Sequence, residues 1–103
     1  MPSANAVISF VTIDLSSQLN VNDFPYGVEC NDPDFVYVTI HSQGLLVKIN
    51  KSNLAVTIIA DPEAVASGQD FYAIARDPVT GNLFINERDN GELWRYEPTI
   101  DTW

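Results

Sequence analysis

The sequence predicts an all-β fold built as two repeats of four short strands. Three observations predict it. Segments rich in Val, Ile, Tyr, Phe and Thr alternate with clusters of Gly, Pro, Asn and Asp, the punctuation of strands and turns. The chain matches itself without a gap at an offset of 47 residues. The run Phe35-Val36-Tyr37-Val38-Thr39-Ile40 is almost continuously apolar, as befits a strand covered on both faces rather than one.

From the N-terminus, the expected strands of the first half are Ile8–Asp14, Tyr26–Cys30, Phe35–His41, Leu45–Asn50 and Ala55–Ala60. The one helical pattern, Pro62 to Ser67 ahead of Gly68, is too short for more than a single turn. The second half supplies Phe71–Arg76, Asn82–Glu87 and Glu92–Glu97, with Asn90-Gly91 as the hairpin between the last two. Both residues of that dipeptide tolerate positive φ, which a tight hairpin requires.

The self-match has a structural logic. At an offset of 47, Asp14 falls on Asp61, Asp23 on Asp70, Phe24 on Phe71, Gly44 on Gly91 and Leu46 on Leu93. Between them Val36 meets Leu83, Tyr37 meets Phe84, Val38 meets Ile85, Lys48 meets Arg95 and Ile49 meets Tyr96. The matches mark a pre-strand Asp-Phe, a hairpin glycine and the apolar positions of two strands. The chain thus divides as one domain, residues 1–103, with repeats at about 9–55 and 56–102. A period in the forties with four strands per repeat is the signature of a β-propeller blade.

Composition sets the outer bounds. The 103 residues are 46% hydrophobic and 18% charged, enough apolar surface for a packed core and too little charge for a disordered chain. A net charge of −9 disfavours nucleic acid and anionic membranes, since phosphate binding needs clustered Lys and Arg. No apolar run approaches the ~18 residues of a membrane span. The opening MPSANAVISFVTIDL has neither a basic start nor a long apolar stretch, and Cys30 is the only cysteine. These features point to a cytoplasmic setting without disulfides. Cys30 itself reads as a small buried apolar residue.

Asp77-Pro78-x-x-Gly81-Asn82-Leu83-Phe84-Ile85-Asn86-Glu87, followed by Asn90-Gly91-Glu92-Leu93-Trp94-Arg95-Tyr96, resembles a blade of the NHL, SMP-30/gluconolactonase and virginiamycin-lyase-like propellers. The first repeat is a poorer copy, running from Asn31-Asp32-Pro33-Asp34-Phe35-Val36-Tyr37-Val38 to Gly44-Leu45-Leu46-Val47-Lys48-Ile49. The resemblance implies a fold shared by many activities.

Two blades cannot close a ring, and an isolated pair would expose apolar blade faces and sheet edges. The expectation is a homo-oligomer: a trimer first, because six blades are common in the resembled families, and a tetramer of eight blades second. Ile8–Asp14 aligns with Ala55–Asp61, so one subunit's N-terminal strand would complete the neighbour's second blade, whose own outer strand is only beginning at Asp101-Thr102-Trp103. The alternative is that the chain is a fragment of a longer propeller.

Two sets of candidate site residues follow. The loops at one rim bring His41 and Arg88 to equivalent positions, with Asp89 and Asn90 beside Arg88. They form an expected ligand rim for a small polar molecule or a carbohydrate, against the plainer reading of turns that simply face water. On the innermost strands the offset of 47 pairs Glu29 with Arg76. That pair either grips a polar solute in the channel or, with Asn31 and Asp32, offers oxygen ligands to Ca²⁺, or it is a structural ion-pair belt. The resembled lactonase-type propellers hold a metal here with Glu, Asn and Asp; Glu29 and Asn31 fit that pattern, and Arg76 departs from it. Among the aromatics, Tyr37 and Phe84 are expected in the core. No metal-spaced Cys/His cluster, phosphate-binding glycine loop or nucleophilic triad is legible. The functional expectation is therefore a non-enzymatic ligand-binding or protein-interaction module, with a metal-dependent lactonase or lyase as the alternative.

Overall fold

The computed structural model describes residues 11–16, 24–41, 44–60, 70–88 and 91–103. It is an all-β architecture of two antiparallel sheets. The first holds β1 (Phe24–Glu29), β2 (Phe35–His41), β3 (Leu45–Asn50) and β4 (Val56–Ala60), side by side in chain order. The second holds β5 (Phe71–Arg76), β6 (Leu83–Glu87) and β7 (Leu93–Tyr96) in the same manner. Every strand expected from Tyr26 onward is present, its bounds moved by at most two residues. Of the strand expected at Ile8–Asp14 only 11–14 are described, and these have no regular structure and no sheet partner among the described residues. The helical turn expected at Pro62 to Ser67 lies outside the described residues. Among the described residues no helix is long and apolar enough to cross a membrane.

The turns repeat along with the strands. Gly44 and Gly91 open the β2–β3 and β6–β7 hairpins with φ of 44° and 67°, a region that favours glycine. Asn50 N donates to Ala55 O at 2.9 Å, and 47 residues later Glu97 N donates to Thr102 O at 2.7 Å.

Strand registers refine the repeat by one residue. Val38 stands opposite Val47, and Ile85 opposite Trp94, so the middle strands keep the offset of 47. On the inner side Val28 faces Val38 and Ile74 faces Ile85, which places Val28 and Ile74 at equivalent positions, 46 apart. A bulge marks the same place in both pairs: Tyr26 and Gly27 oppose Thr39, and Tyr72 and Ala73 oppose Asn86. The step arises in the loops, which span five residues between β1 and β2 (30–34) and six between β5 and β6 (77–82). Glu29 and Arg76 are thus not equivalent, contrary to the sequence expectation. Glu29 corresponds to Ala75, and Tyr26 to Tyr72. One residue of slip moves a side chain to the other face of the sheet, so the correction matters.

Directly opposed residues share a face, and the faces sort into two cores. Tyr37, Leu46 and Ile59 of the first sheet pack with Phe71, Leu83, Ile85 and Tyr96 of the second. The other face of the first sheet carries Val38, Ile40, Leu45, Val47 and Ile49, with Leu15 packed on it. The apolar run of β2 is therefore covered on both sides, as its sequence predicts. A fully buried side chain such as Phe71 or Ile85 stabilises the fold by roughly 1.5–3 kcal/mol relative to exposure.

Equivalent faces do not meet each other. The first sheet offers the row Glu29–Tyr37–Lys48–Thr57, and the second answers with the row Ile74–Ile85–Trp94. The latter is the copy of Val28–Val38–Val47, on the opposite face of the first sheet. The sheets are stacked the same way up rather than related by a two-fold axis. Phe84 falls in the outward row Ala75–Phe84–Arg95, which explains why it lies outside both cores despite the expectation.

Candidate functional site: a tyrosine between two sheets

The bulges build the site. Thr39, fully buried in β2, accepts the Gly27 N–H at 2.9 Å and donates its hydroxyl proton to the Tyr72 carbonyl on the second sheet. The approach is close: a Cβ on Gly27 would stand 2.6 Å from that carbonyl oxygen. This clamp between bulges fixes where the Tyr72 ring emerges.

The Tyr72 hydroxyl then joins the two rim residues named by the sequence. His41 Nε2 lies 2.6 Å from it, and Arg88 Nη1 donates to it at 2.5 Å. A guanidinium only donates, so the phenol oxygen accepts from Arg88 and its own proton can point at a neutral His41 Nε2. Across the imidazole, Nδ1 faces the Asp70 carboxylate at 3.9 Å. Asp70 is held in place from both sides: its carbonyl accepts the Arg88 N–H at 3.0 Å, and its own N–H donates to the buried Glu87 carboxylate at 3.1 Å. The result is a chain of polar groups, Asp70, His41, Tyr72 and Arg88, running across the junction of the sheets.

Aromatic rings frame this chain. Phe24, opposite His41 in the β1–β2 ladder, stacks on the imidazole with centroids 4.3 Å apart. Tyr26 meets Tyr72 edge-on at 4.5 Å. Both Phe24 and Tyr26 are exposed, so their rings are available for contact with a ligand. On the far side of Tyr72 a groove of about 470 Å³ is lined by Asn86, Glu87, Arg88, Glu92 and Leu93. Donors from Arg88 and His41, acceptors from the carboxylates and flat apolar rings together suit a polar, hydroxyl-bearing molecule.

His41 and Arg88 are thus brought together, through a residue that sequence reasoning did not name. Asp89 and Asn90 lie outside the described residues. Tyr72 was legible in principle: with a one-residue gap in the repeat it aligns with Tyr26, each at the bulge of an innermost strand.

The second set of candidates sits at the opposite end of the strands and is engaged internally. Glu29 is buried and accepts the Asn31 N–H at 2.9 Å. Asp32 accepts the N–H groups of Asp34 and Phe35 at 2.8 and 3.1 Å, forming the turn into β2. Arg76 pairs with Asp32 across the sheets, its Nε 4.0 Å from Oδ2. Lys51 Nζ caps the same loop by donating to the carbonyls of Cys30 and Asp32 at 2.8 and 2.6 Å. Cys30 is exposed rather than buried, because β1 ends one residue before it. Among the described residues no group of three or more His, Cys, Asp or Glu is arranged to hold a metal ion.

Comparison with family models, with curated proteins and with solved structures returned no match. The resemblance to NHL-type blades rests on the residues of the two repeats alone.

Proposed function

We propose that this chain is a non-enzymatic binding module. In this reading it is a two-blade unit of a propeller similar to the NHL and SMP-30 type that closes into a ring with copies of itself. Its rim, centred on Tyr72, takes a small polar ligand or a carbohydrate. One observation carries the reading: the two sheets stack the same way up, with non-equivalent faces in contact. A stack of that kind has unlike faces at its two ends, so its contacts with a further copy would be heterologous, and the first sheet's outer face, on which Leu15 packs, would have to be uncovered to take part. Such heterologous contacts close when a rotation relates successive units. A two-fold sandwich would have used up its matching faces.

The open edge of the second sheet agrees with this. β7 has no further strand beside it among the described residues, whereas its copy β3 pairs with β4. Val11, Thr12 and Ile13 stand 47 positions before Ile58, Ile59 and Ala60, so a neighbour's N-terminal segment is suited to the missing place.

Native mass spectrometry tests the ring. Three copies support the six-bladed ring, four copies the eight-bladed one, and a stable 11.4 kDa monomer overturns both. A glycan array and a panel of small polar solutes test the rim. Any binding that survives the double substitution His41→Ala and Arg88→Ala overturns the assignment of the site.

The chain Asp70–His41–Tyr72–Arg88 favours a second reading, a lyase or hydrolase, because a phenol between imidazole and guanidinium can hold or pass a proton. Turnover of a lactone or glycoside that Tyr72→Phe abolishes would support the enzyme over the binding module.

A further inference from the structure

We propose that the rim binds a neutral glycan of at least two linked pyranose rings, one stacked on Phe24 and the next seated in the groove beside Arg88. The assignment rests on the reading of the rim as a binding site and names the class of ligand that the site takes.

The parts lie at one end of the strands. Phe24 opens β1 and His41 closes β2; Phe71 opens β5 with Tyr72 next to it, and Glu87 closes β6 ahead of Arg88. Along this rim the groups follow one another in order. Phe24 stacks on His41 with centroids 4.3 Å apart, and His41 meets Tyr72 edge-on at 4.9 Å. The Arg88 guanidinium carbon then lies 5.3 Å from the centre of the Tyr72 ring. The imidazole stands between Phe24 and Tyr72, whose rings contact it and not each other. The groove of about 470 Å³ opens on the Arg88 side, with Asn86, Glu92 and Leu93 in its lining. Two places for a ligand therefore flank the link between His41 and Tyr72. Three steps separate the outer face of Phe24 from the guanidinium, more than one pyranose covers.

The chemistry of each place points to a sugar. Phe24 is 46% exposed, and its near-parallel stacking on His41, at 17°, covers one face of the ring and leaves the other to solvent. A pyranose has an apolar C–H face ringed by hydroxyl groups, which suits a flat apolar platform beside polar side chains. The groove supplies the polar half. Asn86 both donates and accepts, Arg88 donates and the Glu92 carboxylate accepts, and a hydroxyl group can answer all three. The net charge of −9 and the rim carboxylates of Asp70, Glu87 and Glu92 disfavour an anionic sugar, while Arg88 disfavours a cationic one. Tyr26 keeps its edge contact with Tyr72 at 4.5 Å, and its exposed remainder borders the passage between the two places.

Phe24 is thereby a specificity-determining residue. A single sugar seats in the groove, where the hydrogen-bonding groups are, and Phe24 acts only on the second ring.

Ligand length and substitution test this together. The probes are the methyl pyranosides of glucose, galactose and mannose and the disaccharides maltose, cellobiose and lactose. Each is titrated against isotope-labelled protein and read from the amide signals in NMR spectra. At least one disaccharide is expected to bind roughly tenfold more tightly than the methyl pyranosides of its own sugars, because its second ring stacks on Phe24. Phe24→Ala brings that disaccharide down to the level of the single sugar, whose own affinity changes by less than about twofold. Phe24→Trp keeps a flat ring and retains the preference. Phe24 is half exposed at the start of a strand, so both variants keep the far-UV circular dichroism of the parent. Equal affinity for single sugars and disaccharides overturns the two-ring site. Equal losses for both in Phe24→Ala overturn it as well, since Phe24 would then only support His41. No binding by any of these sugars overturns the glycan and leaves the rim to be judged on other polar solutes. Sugar binding that survives His41→Ala with Arg88→Ala overturns the rim and the glycan site together.

Discussion

Leu54 and Asp101 stand 47 positions apart and share the same left-handed backbone, with φ of 61° and 50°. They are the two described non-glycine residues with positive φ, each in the turn that follows the third strand of its repeat. The strain costs an L-residue about 1–2 kcal/mol, while glycine loses about 0.5–1 kcal/mol in chain entropy. Leu54 is exposed and contributes little by burial, so Leu54→Gly is expected to stabilise the fold by about 0.5–1 kcal/mol. Asp101 differs because its carboxylate accepts the Tyr96 hydroxyl proton at 2.5 Å. Losing a hydrogen bond to a charged group costs about 1.5–3 kcal/mol, so Asp101→Gly destabilises on balance. Urea denaturation midpoints moving in opposite directions would confirm the pair; equal shifts would contradict it.

Gly27→Ala should be among the most damaging small substitutions. The new methyl would meet the Tyr72 carbonyl oxygen, a backbone atom, at 2.6 Å, so the sheets must separate to admit it. Overpacking of this kind costs about 1–3 kcal/mol. The matching change on the second sheet, Ala73→Gly, touches no such contact within the chain and should cost less than about 1 kcal/mol. Thermal denaturation of the two variants gives the comparison, and equal losses would show that the bulges do not set the sheet spacing.

Alkaline pH should unfold the protein through its core tyrosines. Burial first, then the negative charge of Asp32, pushes Tyr37 up from 10.0 to about 12. Burial and the hydrogen bond to Asp101 push Tyr96 up as well. Each phenol is thus held neutral in the folded state and ionises more readily in the unfolded chain. The sign follows: their contribution is fully present below about pH 10 and is lost as pH rises toward about 12. Tyrosinate absorbance should therefore appear together with loss of β-sheet signal in that window. Tyr37→Phe should move the transition to higher pH, and an unchanged transition would exclude Tyr37 as its cause.

Calcium should leave the melting temperature unchanged. The oxygens expected to hold it have structural partners: Glu29 accepts the Asn31 N–H, and Asp32 accepts two backbone N–H groups and faces Arg76. Ligand binding to the folded state raises stability by mass action. A shift of less than about 1 °C with millimolar Ca²⁺ or with EDTA is the expected result. A rise of several degrees would place a metal at this end of the strands.

The strands and their order were legible because each has a strong local signature, β-branched and aromatic residues between turn formers. The buried run of β2 even declared its two covered faces. What escaped was the single-residue step between the innermost and middle strands. An ungapped offset of 47 aligned Glu29 with Arg76, two charged residues, and concealed the match of Tyr26 with Tyr72. The extra residue sits in the loop 77–82, where neither apolar periodicity nor turn chemistry fixes length. Half of the candidate site was visible for the opposite reason: His41 ends β2 and Arg88 directly follows β6, strands whose offset really is 47, so the ungapped comparison placed them correctly. Their meeting point on one phenol is a property of the packed sheets, which no pattern along the chain encodes.

Tyr72→Phe isolates that meeting point. The substitution keeps the ring, its edge contact with Tyr26 and the backbone carbonyl that Thr39 grips, and removes only the oxygen shared by His41 and Arg88. Arg88 is exposed and can turn to water, whereas the His41 side chain is only 18% exposed, so the stability loss should be about 1–3 kcal/mol. Ligand binding should suffer as well, because the hydroxyl orients both donors toward the same small volume. For a carbohydrate or polar solute found by array, affinity should fall by roughly tenfold or more in Tyr72→Phe and vanish in the His41→Ala, Arg88→Ala double variant. Isothermal titration with the same probe on all three proteins reads the order directly. If Tyr72→Phe bound as tightly as the parent while the double variant lost binding, His41 and Arg88 would be acting independently, and the Tyr72 hydroxyl would be a structural link only.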